Sequence, residues 1–179
     1  MPRVTLVGYR GTGKTTVAAI LGSRLGVAWV DADAGLEARA GCPIAVVVGS
    51  RGESAFRDLE TEVLRDLLSA DTGVLATGGG VVLRPENRRL LRDRGRPIVW
   101  LQASADVVRR RLASDPSTAS RRPALTGRDP LDEVSEALAA REPLYREVAG
   151  VAFDTGSAPA TEIAGRIMAW LDGEGRTAS

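Results

Sequence analysis

Short apolar runs alternate with longer stretches of helical periodicity along the whole chain. Val4 to Val7 is the first run, continuous rather than alternating, the pattern of a strand buried on both faces. Thr16 to Leu25 then places Val17, Ile20, Leu21 and Leu25 at helical spacing, with Gly26 as a stop signal. Val27 to Val30 reads as a second strand leading into Asp31-Ala32-Asp33, and Ala34 to Ala40 as a helix stopped by Gly41. Pro43 to Gly49 is ambiguous, because Ile44 and Val46-Val47-Val48 are β-branched and favour a strand by propensity alone. Glu53 to Leu68 is clearer, with Phe56, Leu59, Val63, Leu64 and Leu67 on one helical face and charge opposite. Gly73 to Ala76, Pro97 to Leu101 and Val151 to Phe153 continue the strand series. Pro85 to Arg94 reads as a helix with Pro at its start and Gly95 past its end. Ser104 to Leu112 is a helix capped by Ser104, and Pro159 to Leu171 a closing amphipathic one. Leu131 to Val148 is helical, with Pro143 expected to kink or restart it.

This alternation specifies an α/β fold, a parallel sheet with helices on both faces. In such sheets ligands gather at the carboxyl ends of the strands. Gly8 to Thr15, Asp31/Asp33 and Gly78-Gly79-Gly80 each follow a strand directly, so they are expected at one edge of the sheet. No internal repeat or linker divides the chain, and residues 1–172 read as one domain. Ser114 to Pro130 is rich in Ser, Pro, Asp and Arg, and a loop of that length inside a compact domain suggests a lid. Residues 173–179 read as a disordered tail.

Composition narrows the chemistry. The balance is that of an ordinary globular chain, 44% hydrophobic and 26% charged. A net charge of +1 gives no case for nucleic acid or a membrane surface. No run approaches the ~20 apolar residues of a spanning helix, and Met1-Pro2-Arg3 leads straight into the first strand, so a cytoplasmic enzyme is expected. Cys42 is the only cysteine and there is no histidine, which leaves acid–base work to Asp, Glu, Lys or Tyr.

The candidate chemistry starts at Gly8-Tyr9-Arg10-Gly11-Thr12-Gly13-Lys14-Thr15, which matches the phosphate-binding pattern G-x-x-x-x-G-K-S/T between a strand and a helix. Backbone N–H groups of Gly11, Thr12, Gly13, Lys14, Thr15 and Thr16 would wrap phosphate oxygens at a helix N-terminus. Lys14 would reach the β- and γ-phosphates of a nucleotide, and the Thr15 hydroxyl would sit on Mg²⁺. Of Asp31 and Asp33, one could hold Mg²⁺ through water and the other a substrate hydroxyl; alternatively Asp33 caps the next helix in a solvated turn. Gly78-Gly79-Gly80 is either an anion-binding turn of bare N–H groups or a plain turn. Arg57, with Glu60 three residues on, is either a pre-oriented guanidinium for a carboxylate or a solvated face. Arg122 in the lid segment could reach a transferring phosphoryl group. For Arg109-Arg110-Arg111 a wet helix face is the simpler account.

In this order the segments resemble the shikimate kinases over nearly the whole chain. The markers are the phosphate loop, Asp31-Ala32-Asp33, Gly52-Glu53-x-x-Phe56-Arg57-x-x-Glu60, the triple glycine, Arg122-Pro123 and Arg141-x-Pro143-Leu144-Tyr145. The resemblance implies a three-layer P-loop kinase fold with a five-stranded parallel sheet of order 2-3-1-4-5, a mobile lid, and a monomer. It implies ATP as co-substrate, Mg²⁺, and phosphorylation of the shikimate 3-hydroxyl. Residue by residue, it implies Arg57 and Arg141 on the acceptor carboxylate beside Gly78, Gly79 and Gly80. Asp33 would hold the ring hydroxyls and serve as base, Lys14 and Arg122 would stabilise the moving phosphoryl group, and Thr15 and Asp31 would hold the metal. Arg109 or Arg110 would stack near adenine, and the turn from Asp154 to Pro159 would line the base pocket. It also implies helix over Pro43 to Gly49, against local propensity. Val48 stands where an aromatic residue often packs in this family, and Ser114 to Ser120 is longer than common. The rival readings are a P-loop kinase of another polyol acid such as gluconate, a nucleotide switch, and a non-catalytic nucleotide binder. The chain lacks the Asn-Lys-x-Asp segment that reads guanine.

Overall fold

The computed structural model describes residues 1–114 and 130–177. In chain order the elements are β1 (Val4–Val7), α1 (Lys14–Leu25), β2 (Trp29–Asp31), α2 (Ala32–Ala40) and α3 (Ile44–Ser69). β3 (Val74–Ala76), a 3-10 turn (Val81–Leu83), α4 (Pro85–Arg94), β4 (Ile98–Gln102) and α5 (Ala105–Ser114) follow. α6 (Pro130–Val148), β5 (Val151–Asp154) and α7 (Ala160–Thr177) complete the series. The strands form one five-stranded parallel sheet in the order β2-β3-β1-β4-β5, as the resemblance implied.

The continuous apolar runs follow from burial on both faces. Alternate residues of one strand enter different cores. Val4, Leu6, Val74, Ala76, Val99 and Leu101 meet α1 and α7 through Val17, Leu21, Ile163 and Ile167. Val7, Leu75, Ile98 and Trp100 meet α3, α4 and α6 through Leu64, Leu68, Leu91, Tyr145 and Val148. Each fully buried Leu, Ile or Val is worth about 1.5–3 kcal/mol, so both layers are anchored firmly behind the strand ends.

Two segments depart from local pattern. Ile44 to Gly49, after the capping Pro43, is helical despite its β-branched run, because tertiary burial outweighs propensity. Ile44 and Val47 are buried in a cluster with Leu36, Phe56 and Val63, whereas Val46 is exposed, a one-sided helical face. The Glu37 carboxylate of α2 accepts from Ile44 N at 3.0 Å, serving a first-turn N–H of α3. α3 is then broken at Gly52, with φ 81° and ψ 166°, a conformation that glycine adopts without strain and other residues rarely do. The second departure is after β2. Helix α2 begins at Ala32, so Asp33 lies in a helical first turn and strand alternation does not set its direction. The cap is Asp31, whose Oδ1 accepts from Asp33 N at 2.9 Å. α6 is one helix through Pro143, and α7 extends to Thr177, beyond the Leu171 at which apolar spacing stops. Among the described residues no helix is long and apolar enough to cross a membrane.

Candidate active site

The phosphate loop joins β1 to α1, whose first residue is Lys14 after a left-handed Gly13. The Lys14 ammonium is buried and donates to the carbonyls of Gly8 at 2.8 Å and Tyr9 at 2.9 Å. Thr12 donates its hydroxyl to Tyr9 O at 2.8 Å, which ties the loop to itself. The Thr15 hydroxyl donates to Asp31 Oδ2 at 2.6 Å. A residue on the phosphate helix and one at the end of β2 therefore meet, side chain to side chain.

The second half of the site gathers around the triple glycine after β3. A Cβ on Gly78 would stand 2.6 Å from Asp33 Oδ1 and 3.0 Å from Glu60 Oε1, so both carboxylates lie against its bare Cα. A Cβ on Gly80 would stand 2.3 Å from Arg57 Nη1, a distance no side chain tolerates. Arg57 is buried and donates to Glu60 Oε2 at 2.7 Å and to Glu53 Oε1 at 3.1 Å. Its guanidinium also lies over the Phe56 ring, 4.8 Å from the centroid. Burial by itself would lower the Arg57 pKa, but the charges and hydrogen bonds of Glu60 and then Glu53 outweigh it and hold it above its ordinary value. Arg141 of α6 donates to Gly79 O at 3.2 Å and sits over the Tyr9 ring at 5.0 Å. Asp33, Arg57, Arg141 and the glycine turn, distant in sequence, meet beside the phosphate loop.

On the other side of the loop, a cleft of about 650 Å³ at the carboxyl ends of β4 and β5 is lined by Tyr9, Thr12, Gln102, Ser104, Tyr145 and Asp154 among others. The arginine run is divided in role. Arg109 pairs with Asp106 at 3.5 Å, and Arg110 donates to Asp106 O at 3.4 Å. Arg111 reaches out of the helix to Gly11 O at 3.3 Å, Thr155 Oγ1 at 3.0 Å and Thr155 O at 2.6 Å. It joins the phosphate loop to the turn after β5, whereas the resemblance had singled out its neighbours Arg109 and Arg110. Tyr145 is the other residue missed. Its hydroxyl donates to Gly79 O at 2.5 Å, and only its place in the Arg141-x-Pro143-Leu144-Tyr145 segment could have marked it. Arg122, and with it nearly all of the expected lid, lies outside the described residues.

The sheet order and the phosphate loop at its carboxyl edge define the class, a P-loop small-molecule kinase. The shikimate kinase family model matches residues 10–172. Shikimate kinase of Nitratidesulfovibrio vulgaris is 48% identical over 82% of this chain and 83% of its own length. That of Rhodopirellula baltica is 40% identical over 91% and 87%. The structure of shikimate kinase from Acinetobacter baumannii in complex with shikimate superimposes with a TM-score of 0.89 at 35% identity, covering 97% of this chain and 94% of that one. The chain belongs to the shikimate kinase family.

Proposed function

We propose that the chain transfers the γ-phosphoryl group of ATP to the 3-hydroxyl of shikimate, giving shikimate 3-phosphate and ADP for aromatic amino acid biosynthesis. The observation that carries this reading is the convergence of Arg57 and Arg141 on Gly80 and Gly79 beside the phosphate loop. Guanidiniums pair with carboxylates through parallel N–H donors, so the two would hold a carboxylate-bearing acceptor. Asp33, against Gly78, would bind the ring hydroxyls and take or orient the proton of the one that attacks. Lys14, with Arg122 of the lid, would offset charge on the moving phosphoryl group. The backbone N–H groups from Gly11 to Thr16 would wrap the phosphates.

The Thr15–Asp31 pair fits Mg²⁺. Both groups are hard oxygen donors, and among the described residues no cluster of three or more metal-ligating side chains occurs. Mg²⁺ keeps waters and takes phosphates as ligands, so it needs only one or two protein oxygens. When bound it would neutralise charge on the ATP phosphates. The base would lie near the turn after β5 and the arginine run, with Arg109, Arg110 and Arg111 as candidates. We read the protein as a cytoplasmic monomer.

ADP release with Mg²⁺-ATP, measured across acceptors, tests the reading. Shikimate is expected to support turnover, and gluconate and nucleoside monophosphates are not. Release independent of shikimate, or a clear preference for another acceptor, would refute it.

A further inference from the structure

Each carbonyl of the triple glycine accepts a hydrogen bond. Gly78 O takes Val81 N at 3.2 Å and Gly80 O takes Leu83 N at 3.0 Å, the ordinary bonds of the 3-10 turn. Gly79 O differs, because its donors are the side chains of Tyr145 at 2.5 Å and Arg141 at 3.2 Å. Gly79 is also wedged against the phosphate loop, where a Cβ would stand 2.9 Å from Arg10 N. This one residue is gripped from two sides, by the nucleotide loop and by α6.

The Gly79–Gly80 peptide is trans, since among the described residues the only cis bond is Arg96–Pro97. A trans peptide points its C=O and N–H in opposite directions. Fixing the Gly79 oxygen therefore fixes where the Gly80 N–H points, and Gly80 is the residue against which Arg57 packs. We infer that Tyr145 is a positioning residue for the acceptor: its hydroxyl locks the Gly79 peptide so that the Gly80 N–H is aimed at the same ligand group as Arg57. The inference rests on the acceptor site described above and adds to it a residue that does not itself touch the acceptor.

Tyr145 suits this role. It is buried, and its ring stacks on Trp100 of β4 with centroids 5.7 Å apart and planes at 26°. The stack fixes the ring, so the hydroxyl has little freedom to leave the carbonyl. Burial pushes the phenol well above its ordinary value, against a smaller lowering by Arg141. The hydroxyl therefore stays a donor across the pH range in which such an enzyme works. Arg141 alone would hold the oxygen with a longer bond from a flexible side chain.

The test is steady-state kinetics of the full chain with both substrates varied, for the native protein, Tyr145→Phe and Trp100→Phe. Tyr145→Phe keeps the ring and removes one neutral hydrogen bond, so the KM for shikimate should rise about three- to tenfold. The KM for ATP and kcat should stay near native values, with only the few-degree fall in Tm that one lost buried hydrogen bond brings. Trp100→Phe trims the packing but keeps an aromatic ring stacked on Tyr145 and so the hydroxyl in place, and it should lower Tm with little change in the KM for shikimate. An unchanged KM for shikimate in Tyr145→Phe, or an equal rise for both substrates, would overturn the inference. So would an equal rise for shikimate in Trp100→Phe, which would assign the effect to ring packing. Native protein without shikimate-dependent ADP release would overturn the acceptor assignment along with it. An active native protein beside an unchanged Tyr145→Phe would overturn the positioning role alone.

Discussion

Arg57 carries a charge into a place with little water, and its surroundings show how the cost is offset. Two carboxylates, Glu60 and Glu53, bind it from the same helix, the Phe56 ring supports one side, and Gly80 leaves room on another. A guanidinium held this way loses little further freedom on meeting a carboxylate, which is the physical content of preorganisation. Arg57→Ala should raise the KM for shikimate about tenfold or more, as expected for a charge-assisted hydrogen bond worth about 1.5–3 kcal/mol. Binding of ATP, followed by titration of a fluorescent analogue, should survive. Loss of both affinities to the same degree would take Arg57 out of the acceptor clamp. The intrahelical part of this arrangement was legible in the sequence, because Glu53, Arg57 and Glu60 stand at the i,i+4 and i,i+3 spacings that bring helical side chains together. The contact with Gly80 was implied only by the resemblance, since spacing along one element says nothing about which loop of another packs against it.

At the scale of the element, α3 matters because of its break. The helix starts at Ile44, turns at Gly52 and continues with Glu53, Phe56, Arg57 and Glu60 on the segment beyond. The break thus sets the direction from which Arg57 approaches the glycine turn. Gly52→Ala would force a side chain into φ 81° and ψ 166°, a region kept almost entirely to glycine, at a cost of about 1–3 kcal/mol. For a chain of this size that amounts to a fall in Tm of about 2–12 °C by thermal denaturation. The KM for shikimate should rise as well, because Arg57 rides on the segment that Gly52 orients. An unchanged Tm would mean that the turn is relaxed by other means. The first half of α3 shows where propensity misleads. Its β-branched residues read as a strand in isolation, yet the third core cluster takes Ile44 and Val47 at helical spacing. Likewise Asp33 lies inside the helix that it was expected either to precede or to cap, and from there it reaches Gly78. The residue types were informative there, and the backbone path was not.

At the scale of the whole molecule, the two halves of the site hang on different parts of one sheet, and the layers behind it must hold them in register. One tie in the outer layer is Glu147 near the end of α6, which pairs with Arg88 at 2.7 Å and with Arg92, both on α4. Desolvation is the largest single influence and works against its charge, but the hydrogen bonds and charges of Arg92 and Arg88 together prevail, and its pKa is held below the ordinary 4.5. A depressed carboxylate stabilises the fold above its unfolded pKa and loses that contribution as pH falls through the folded value. Glu147→Gln should therefore have a lower Tm than the native protein at pH 7, by a small margin because the pair is partly exposed. The margin should close at a pH well below 4.5, where the native carboxylate is also protonated. A margin independent of pH would show that packing of Glu147, not its charge, joins the two helices.

The sequence by itself determined the class of fold, the order of its elements, the phosphate loop and the family. Those rest on periodicity, on short motifs whose backbone requirements are local, and on their order along the chain. Only the tertiary structure decided which side chains meet. Arg111 rather than its neighbours reaches Gly11 and Thr155, Asp31 rather than Asp33 caps α2, and Tyr145 reaches a carbonyl 66 positions away in the chain. Contacts of that kind depend on how layers of helix and sheet are stacked, and a residue's position in the chain does not encode the neighbour it acquires when distant strands are brought side by side.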